Sequence, residues 1–276
     1  MINRRDIVVI LGSGYVARFM LSLTDFYLNV LHTSRQPDNH LTWVPQEQRI
    51  RFDLTHPDTW STIPPDADLL WCFPAAPLVS VQQFASCIKA RSRRLVVLGS
   101  TSAYGAGNAS ENPPPWIDET SPIDLGIPRV QGEEFLRNEC GAVVLRVAGI
   151  YGPRRHPYDW IMTGRVGLSD KYVNLIHVED LAASCQAALQ CGVSGAVYNV
   201  SDGVPMTWKE IGRKLYGDQL IRQSEAGQTH PSGKRINNMK LRLLLEEAGT
   251  SIRHSDLLSA LERLEQAPAP MERTDH

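Results

Sequence analysis

Two glycines and an alanine after an apolar run are the first residues here whose spacing could do chemistry. The run Asp6–Leu11 leads directly into Gly12-Ser13-Gly14-Tyr15-Val16-Ala17, a G-x-G-x-x-A pattern. At a strand-to-helix junction, Gly12 permits the tight turn and Gly14 lets backbone N–H groups approach a pyrophosphate at the helix N-terminus. Ala17 is small enough for close packing of helix on strand. A turn that merely needs glycine would carry the same letters, but a strand before and a helix after point to dinucleotide binding. The next apolar run ends at His32-Thr33-Ser34-Arg35, where a NAD-binding chain places an acid against the ribose hydroxyls. No acid stands there. Arg35, beside two hydroxyl residues, suits a 2′-phosphate, because a guanidinium fork matches phosphate oxygens. The expected cofactor is therefore NADP, with NAD second; a solvated surface arginine is the alternative reading. Asp53 and Leu54 end the third run and would lie beside the adenine, and Asp53 could equally cap the segment after it. Ala75, after the fourth run, completes the expected cofactor contacts.

Such a turn needs a sheet to hold it. Asp6–Leu11, Leu28–His32, Arg49–Phe52, Asp68–Phe73, Leu95–Gly99 and Ala142–Val147 read as strands separated by helical stretches. Unbroken apolar runs such as VVIL, LLWCF and LVVL belong to parallel strands buried on both faces, so the fold class is α/β, a doubly wound Rossmann sheet. Residues 1–150 form the expected cofactor domain. Residues 151–266 mainly form a smaller C-terminal substrate lobe, with some segments returning to the first domain, and 267–276 form a tail. In the second part, His177–Cys191 reads as a helix and Ala196–Val200 as a strand. Another helix opens with Thr207 as N-cap and Glu210 three residues on, and further helices are expected at Lys240–Ala248 and Ser255–Gln266. The stretch Gly105–Pro122, with ENPPPW inside it, is expected to stay irregular, since consecutive prolines exclude helix and central strand.

Composition narrows the function classes. In 276 residues, 28 Lys and Arg against 30 Asp and Glu leave a net charge of −2, so the basic footprint of a nucleic-acid binder is absent. No apolar run approaches the roughly 18 residues that span a bilayer, and no signal-peptide pattern opens the chain, so the expectation is a cytoplasmic protein without membrane partners. The five cysteines, Cys72, Cys87, Cys140, Cys185 and Cys191, are odd in number and scattered mostly through apolar stretches, which predicts buried free thiols.

Four further segments, LGSTSAYG at 98–105, LRVAGIYGP at 145–153, NLIHVEDLA at 174–182 and YNVSDG at 198–203, resemble the extended short-chain dehydrogenase/reductase family, which includes nucleotide-sugar epimerases, dehydratases and reductases. They occur in the family's order. With the glycine turn and KRINNMKL at 234–241, the resemblance covers nearly the whole chain. The compact GSGYVA turn lacks the extra spacer and third glycine of typical members and looks like an atypical branch. The resemblance implies a reaction in which a Ser or Thr orients the substrate oxygen, a Tyr acts as acid or base, and a Lys lowers the phenol's pKa and holds the nicotinamide ribose. Ser100, four residues before Tyr104, matches the hydroxyl position; Thr101 is the alternative if the register slips by one.

The segment Leu125-Gly126-Ile127-Pro128-Arg129-Val130-Gln131-Gly132-Glu133 resembles the family's Tyr-Gly-x-x-Lys-x-x-x-Glu, with Leu125 at the tyrosine and Arg129 at the lysine. Leucine exchanges no proton, and arginine stays charged at ordinary pH, so Arg129 can hold ribose or phosphate but cannot tune a base. Tyr104, Tyr151, Asp124, His156 or ordered water would have to supply the proton. Ser100, Thr101, Tyr104 and Arg129 are thus the catalytic candidates. Arg154-Arg155-His156 and Lys234-Arg235 could meet an anionic substrate between the lobes or simply be solvated. His177, Glu179 and Asp180 lack a second histidine at ligand spacing and match the family's helix start, so no metal is expected. The resemblance implies an NADP(H)-dependent oxidoreductase acting on a small polar metabolite or nucleotide sugar. An epimerase or dehydratase, or a dinucleotide-binding regulator without turnover, is the alternative. It also implies a possible homodimer through the helices flanking this segment.

Overall fold

Apolar runs with no polar alternation need cover on both faces, and the chain supplies it as three layers. The computed structural model describes residues 5–89, 92–105, 111–217 and 232–266. The first part holds β1 (Arg5–Leu11), β2 (Tyr27–Ser34), the single turn α1 (Pro37–His40), β3 (Arg49–Arg51), β4 (Asp68–Trp71), α2 (Leu78–Ile88), β5 (Arg94–Ser100), β6 (Trp116–Ile117), α3 (Pro128–Cys140) and β7 (Val143–Val147). Then come β8 (Gly149–Tyr151), α4 (Pro157–Met162), β9 (Lys171–Val173), β10 (Leu175–His177), α5 (Val178–Cys191), β11 (Val197–Val200), β12 (Met206–Thr207) and α6 (Trp208–Tyr216). The last elements are β13 (Ser232–Gly233), β14 (Arg235–Ile236), α7 (Met239–Glu247) and α8 (Leu257–Gln266).

Seven strands form one parallel sheet in the order β11-β7-β5-β4-β1-β2-β3. The chain winds from β1 out to β3, then returns to β4 on the other side of β1. That reversal leaves a crevice at the C-terminal ends of β1 and β4. On one face Val8, Ile10, Leu145 and Val147 pack against Leu181 and Cys185 of α5 and Leu241 and Leu245 of α7. On the other, Val9, Leu11, Trp71 and Val97 pack against Val81 and Phe84 of α2 and Leu136 of α3. A separate cluster of Tyr151, Leu175, Met206, Trp208, Ile211, Leu257 and Leu261 forms the heart of the second lobe. The expected capping box is present, with Thr207 and Glu210 bonding reciprocally at the start of α6. Residues 267–276, expected as a tail, lie outside the described residues.

Three expectations need correction. First, the glycine turn opens two short 3-10 turns, Val16–Phe19 and Leu21–Asp25, in place of an α-helix. A 3-10 chain rises about 2.0 Å per residue against 1.5 Å, so a short crossover can still travel the length of the strands. Second, β6 interrupts the supposedly irregular Gly105–Pro122 stretch by pairing with β14, Trp116 opposite Arg235 and Ile117 opposite Ile236. The prolines end at Pro115, so the residues after them regain their N–H groups. Third, the cysteines are unbridged, yet only Cys185 is buried and Cys87 is exposed. The segments of 151–266 that return to the first domain are β11, which joins the large sheet, and α5 and α7, which join its covering layer.

The tightest contact between layers is at Gly132 of α3, where a Cβ would stand 1.9 Å from the Ala75 carbonyl oxygen. Gly132→Ala must lift α3 from the loop after β4, an overpacking expected to destabilise by roughly 1–3 kcal/mol or more in urea unfolding.

Candidate functional site

Gly12 leaves β1 at φ +80, and a Cβ there would meet the Phe73 ring at 2.6 Å, so the turn requires glycine for both backbone and space. Buried Thr33 holds the turn from below: its Oγ1 accepts from Gly12 N–H at 2.9 Å and its carbonyl accepts from Ser13 N–H at 2.9 Å. Ser13 Oγ accepts from Thr33 N–H at 3.2 Å and meets His32 Nδ1 at 3.2 Å. Burial pushes His32 down to about 4, which keeps it neutral in this network. Gly14 N–H bonds the Gly12 carbonyl at 2.8 Å. The N–H groups of 12–14 are thus used within the turn, so N–H groups that could approach a pyrophosphate at the helix N-terminus lie beyond Gly14. The turn presents the N–H groups of Tyr15 and Val16 at the start of the following 3-10 turn. Nothing lies within 4 Å of a Cβ placed on Gly14, so that side of the turn is open.

It opens into a cleft of about 1190 Å³ at the crevice of the sheet. Of the expected cofactor residues, Gly12, Ser13, Gly14, Tyr15, Thr33, Ser34, Arg35, Asp53 and Leu54 line it. Val16, Ala17 and Ala75 do not. Val16 and Ala17 pack on the core, and Ala75 is buried under Gly132 while Ala76 takes the wall. Asp53 caps no helix with its side chain; its carboxylate accepts from Thr55 N–H and hydroxyl and pairs with His56. Despite partial burial, those bonds hold it below the usual carboxylate range.

Three guanidinium groups, Arg18, Arg35 and Arg154, share the wall with this one carboxylate. Arg35 is exposed and enters no ion pair among the described residues. Arg18 and Arg154 were not expected on the cofactor side. Arg154 arrives on a reverse turn after β8, at φ +64, pinned where Tyr15 hydroxyl donates to the Pro153 carbonyl at 2.9 Å and Arg155 stacks over the Tyr15 ring at 4.2 Å. The second lobe thereby closes over the glycine turn, which local sequence could not reveal. Open space at Gly14 and a cation-rich wall fit the phosphates of a dinucleotide.

Ser100 ends β5, and its hydroxyl accepts from Ser102 N–H at 3.2 Å, capping the 3-10 turn Thr101–Ala103. Ser100, Thr101 and Arg129 lie outside the lining of the cleft. The Tyr104 hydroxyl is buried. It donates to Asn199 Oδ1 at 2.7 Å, accepts from Arg146 at 3.0 Å, and has its pKa raised chiefly by burial. A phenol so enclosed serves the core, which removes Tyr104 from the proton donors. Tyr151 is likewise fully buried, its pKa raised by burial and by Asp202. Asp124 is exposed and accepts from Gly126 N–H at 2.8 Å, while His156 caps α4 through Nδ1. Leu125 is 55% exposed on the turn into α3.

Arg129 stands in the first turn of α3, its Nε buried without a hydrogen-bond partner. One turn on, Glu133 is 1% exposed against Gly99, and burial pushes its carboxyl up to about 7 against the pull of Arg129 and Arg146. His177 caps α5 through Nδ1. The tertiary fold brings His254 beside it, so His177, Glu179 and His254 form the second-histidine cluster that the local spacing lacked. Their contacts are structural: His254 Nε2 bonds Glu179 at 3.0 Å, and burial, then His254, push His177 down to about 4.

The fold recurs in solved structures. A conserved protein of unknown function from Silicibacter pomeroyi matches 96% of this chain and 99% of its own at TM-score 0.68 and 23% identity. A candidate NAD-dependent epimerase/dehydratase from Methylobacillus flagellatus matches 96% and 98% at TM-score 0.70 and 23% identity. A UDP-glucuronic acid 4-epimerase variant from Bacillus cereus, bound to NAD and a fluorinated UDP-sugar, matches 95% and 99% at TM-score 0.68 and 18% identity. The chain shares its fold with these structures. No family model matches it. Protein YeeZ of Escherichia coli K12 is 31% identical over 130 residues, 45% of each chain, so the match spans less than half of that curated relative.

Within this fold Glu133 gives a signed pH test. Its folded pKa is raised, so folding favours the proton, and stability is lost as pH rises from about 4.5 towards 7. Glu133→Gln keeps the neutral form throughout. Wild type should lose on the order of 3 kcal/mol relative to that variant between pH 4 and 8, measured by urea unfolding at each pH.

Proposed function

We propose that this chain is an NADP(H)-dependent oxidoreductase of the extended short-chain dehydrogenase/reductase type, acting on a small polar metabolite or nucleotide sugar. The observation that carries the reading is the cleft at the reversal of strand order, with an open glycine turn and three guanidinium groups around it. Structures of the same fold hold NAD, among them the Bacillus cereus 4-epimerase and a dTDP-glucose 4,6-dehydratase from Bacillus anthracis. A nicotinamide cofactor supplies or accepts a hydride when bound. The chain's own residues bind and orient. Tyr15, through its backbone, and Arg154 would face the pyrophosphate, and Arg35, exposed and unpaired among the described residues, the 2′-phosphate. Arg129 would stand on the ribose side, and Ser100 at the end of β5 would orient the substrate oxygen. With Leu125 in place of a phenol and Tyr104 enclosed, neither side chain can move the proton, which leaves water or another group between the lobes.

One specific observation favours a second reading, a dinucleotide-binding protein without turnover: the position expected to hold the acid is an exposed leucine. Positioned acid–base groups contribute about 10²–10⁴-fold, whereas proximity and orientation can contribute more, so the loss slows hydride chemistry without forbidding it.

Two measurements separate these. Calorimetry should find NADPH bound more tightly than NADH, and Arg35→Ala should weaken NADPH by roughly 1–3 kcal/mol while leaving NADH nearly unchanged. Equal affinity of the unaltered protein for both would overturn the NADP assignment. A screen of carbonyl metabolites with NADPH, followed at the reduced-nicotinamide absorbance, should find turnover that Ser100→Ala reduces. Intact cofactor binding with no turnover across the screen would establish the second reading.

A further inference from the structure

A lysine of the second lobe reaches into the loop that carries Ser100. Lys234 stands between β13 and β14, and Asn174 clamps its backbone. The Asn174 Nδ2 donates to the Lys234 carbonyl at 2.8 Å, and its Oδ1 accepts from Ile236 N–H at 2.9 Å. Gly233, just before, runs at φ +98, and a Cβ there would stand 2.2 Å from the Tyr172 carbonyl oxygen, so glycine is what lets this segment pass close to β9. Held in this way, the Lys234 ammonium donates to the carbonyl of Thr101 at 3.1 Å and to that of Tyr104. An ammonium has three N–H donors, so one remains for a ligand. Arg235 goes the other way: it stacks over Trp116 at 4.9 Å and donates to the Pro114 carbonyl. Successive side chains of an extended segment point to opposite faces, so of the two basic neighbours only Lys234 meets the Ser100 loop.

Its electrostatic surroundings are one-sided. Lys171 lies on β9 opposite Ser232, two residues before Lys234, and Arg129 lies one turn before Glu133, which packs on Gly99 beside Ser100; burial and these two cations push the Lys234 pKa down. Among the described residues, none of the three forms an ion pair with a carboxylate. Arg129 Nε is buried and unpartnered, and nearby Glu133 is driven by its own burial towards the neutral acid, so it compensates Arg129 poorly. Neutral carbonyls orient the lysine, and among the described residues no acid pairs with it. Converging, uncompensated cations beside a catalytic strand end form one half of an anion site.

We propose that Lys234 binds an anionic group of the substrate, a phosphate or a carboxylate, beside Ser100. This rests on the dinucleotide-binding reading above, in which Arg129 serves the cofactor side, and it limits the substrate class to anionic metabolites. Neutral sugars and simple ketones fall outside it.

The test is calorimetry on the full chain with inorganic phosphate and, separately, with malonate, after NADPH affinity has been measured. Absence of NADPH binding would refute the parent reading alone, and the anion titrations would then run on the chain without cofactor. One of the two dianions should bind the NADPH-saturated wild type at one site. Lys234→Gln should weaken it by tenfold or more, the loss of a charge-assisted hydrogen bond, and Lys234→Arg should stay within a few-fold of wild type. NADPH affinity and circular dichroism should be unchanged in both variants; Lys234→Met replaces the glutamine variant if that one does not fold. The dianion that binds distinguishes phosphate from carboxylate substrates. Binding of neither dianion by wild type, or equal binding by Lys234→Gln, would overturn the proposal.

Discussion

A guanidinium buried in the middle of a parallel sheet is the constraint on which the Ser100 side of the candidate site depends. Arg146 lies on β7, a strand whose other residues are all apolar, and it is 3% exposed. A charge taken so far from water must be paired and hydrogen-bonded, or the fold loses several kcal/mol. Arg146 meets that demand with Glu134 of α3 at 3.0 Å and the Tyr104 hydroxyl at 3.0 Å, with its guanidinium 4.9 Å from the Tyr104 ring. Tyr104 passes the network to Asn199 on β11, which donates through its side-chain amide to the Asn237 carbonyl and through its backbone N–H to Glu119. One buried cation thus sets the position of α3, the loop after Ser100, an outer strand and the segment before α7. Those are the elements around the place where a substrate would react.

The two ends of the site are built on different physics. On the cofactor side, backbone and small residues do the work: Gly12 makes the turn, Thr33 braces it, and Gly14 leaves space. Arg154 is added from the second lobe by the reverse turn that Tyr15 holds. On the reaction side, charge dominates. Arg129 lies one turn before Glu133, whose carboxyl burial pushes up to about 7, and Lys234 is held at the Ser100 loop by the Thr101 and Tyr104 carbonyls. A phenol with a lysine beside it would poise a proton for transfer. A leucine and an arginine instead leave a fixed positive field, which favours binding and charge stabilisation over acid–base work.

Much of this was legible from residue order. The continuous apolar runs required a parallel sheet covered on both faces, and their bounds agree with the strands to within about two residues at most ends. Gly12 and the Thr207-Glu210 capping box follow from local sterics and hydrogen bonding, which a few consecutive residues determine. That neither Leu125 nor Arg129 can exchange a proton at ordinary pH was equally plain, since side-chain chemistry needs no coordinates.

What only the tertiary structure decided concerns groups whose partners are distant in sequence. Tyr104 and Ser100 sit four residues apart and read alike as candidates, yet the phenol is sealed by Arg146 and Asn199 while the serine stays at the strand end. Lys234 and Arg235 are adjacent and identical in charge, but extended geometry turns one towards Thr101 and the other onto Trp116. Ala75 and Ala76 divide in the same way between a helix contact and the cleft wall. In each pair the sequence determined the chemistry a residue can perform. Burial and direction, which depend on what the rest of the chain packs against it, decided whether that chemistry faces a ligand or the core.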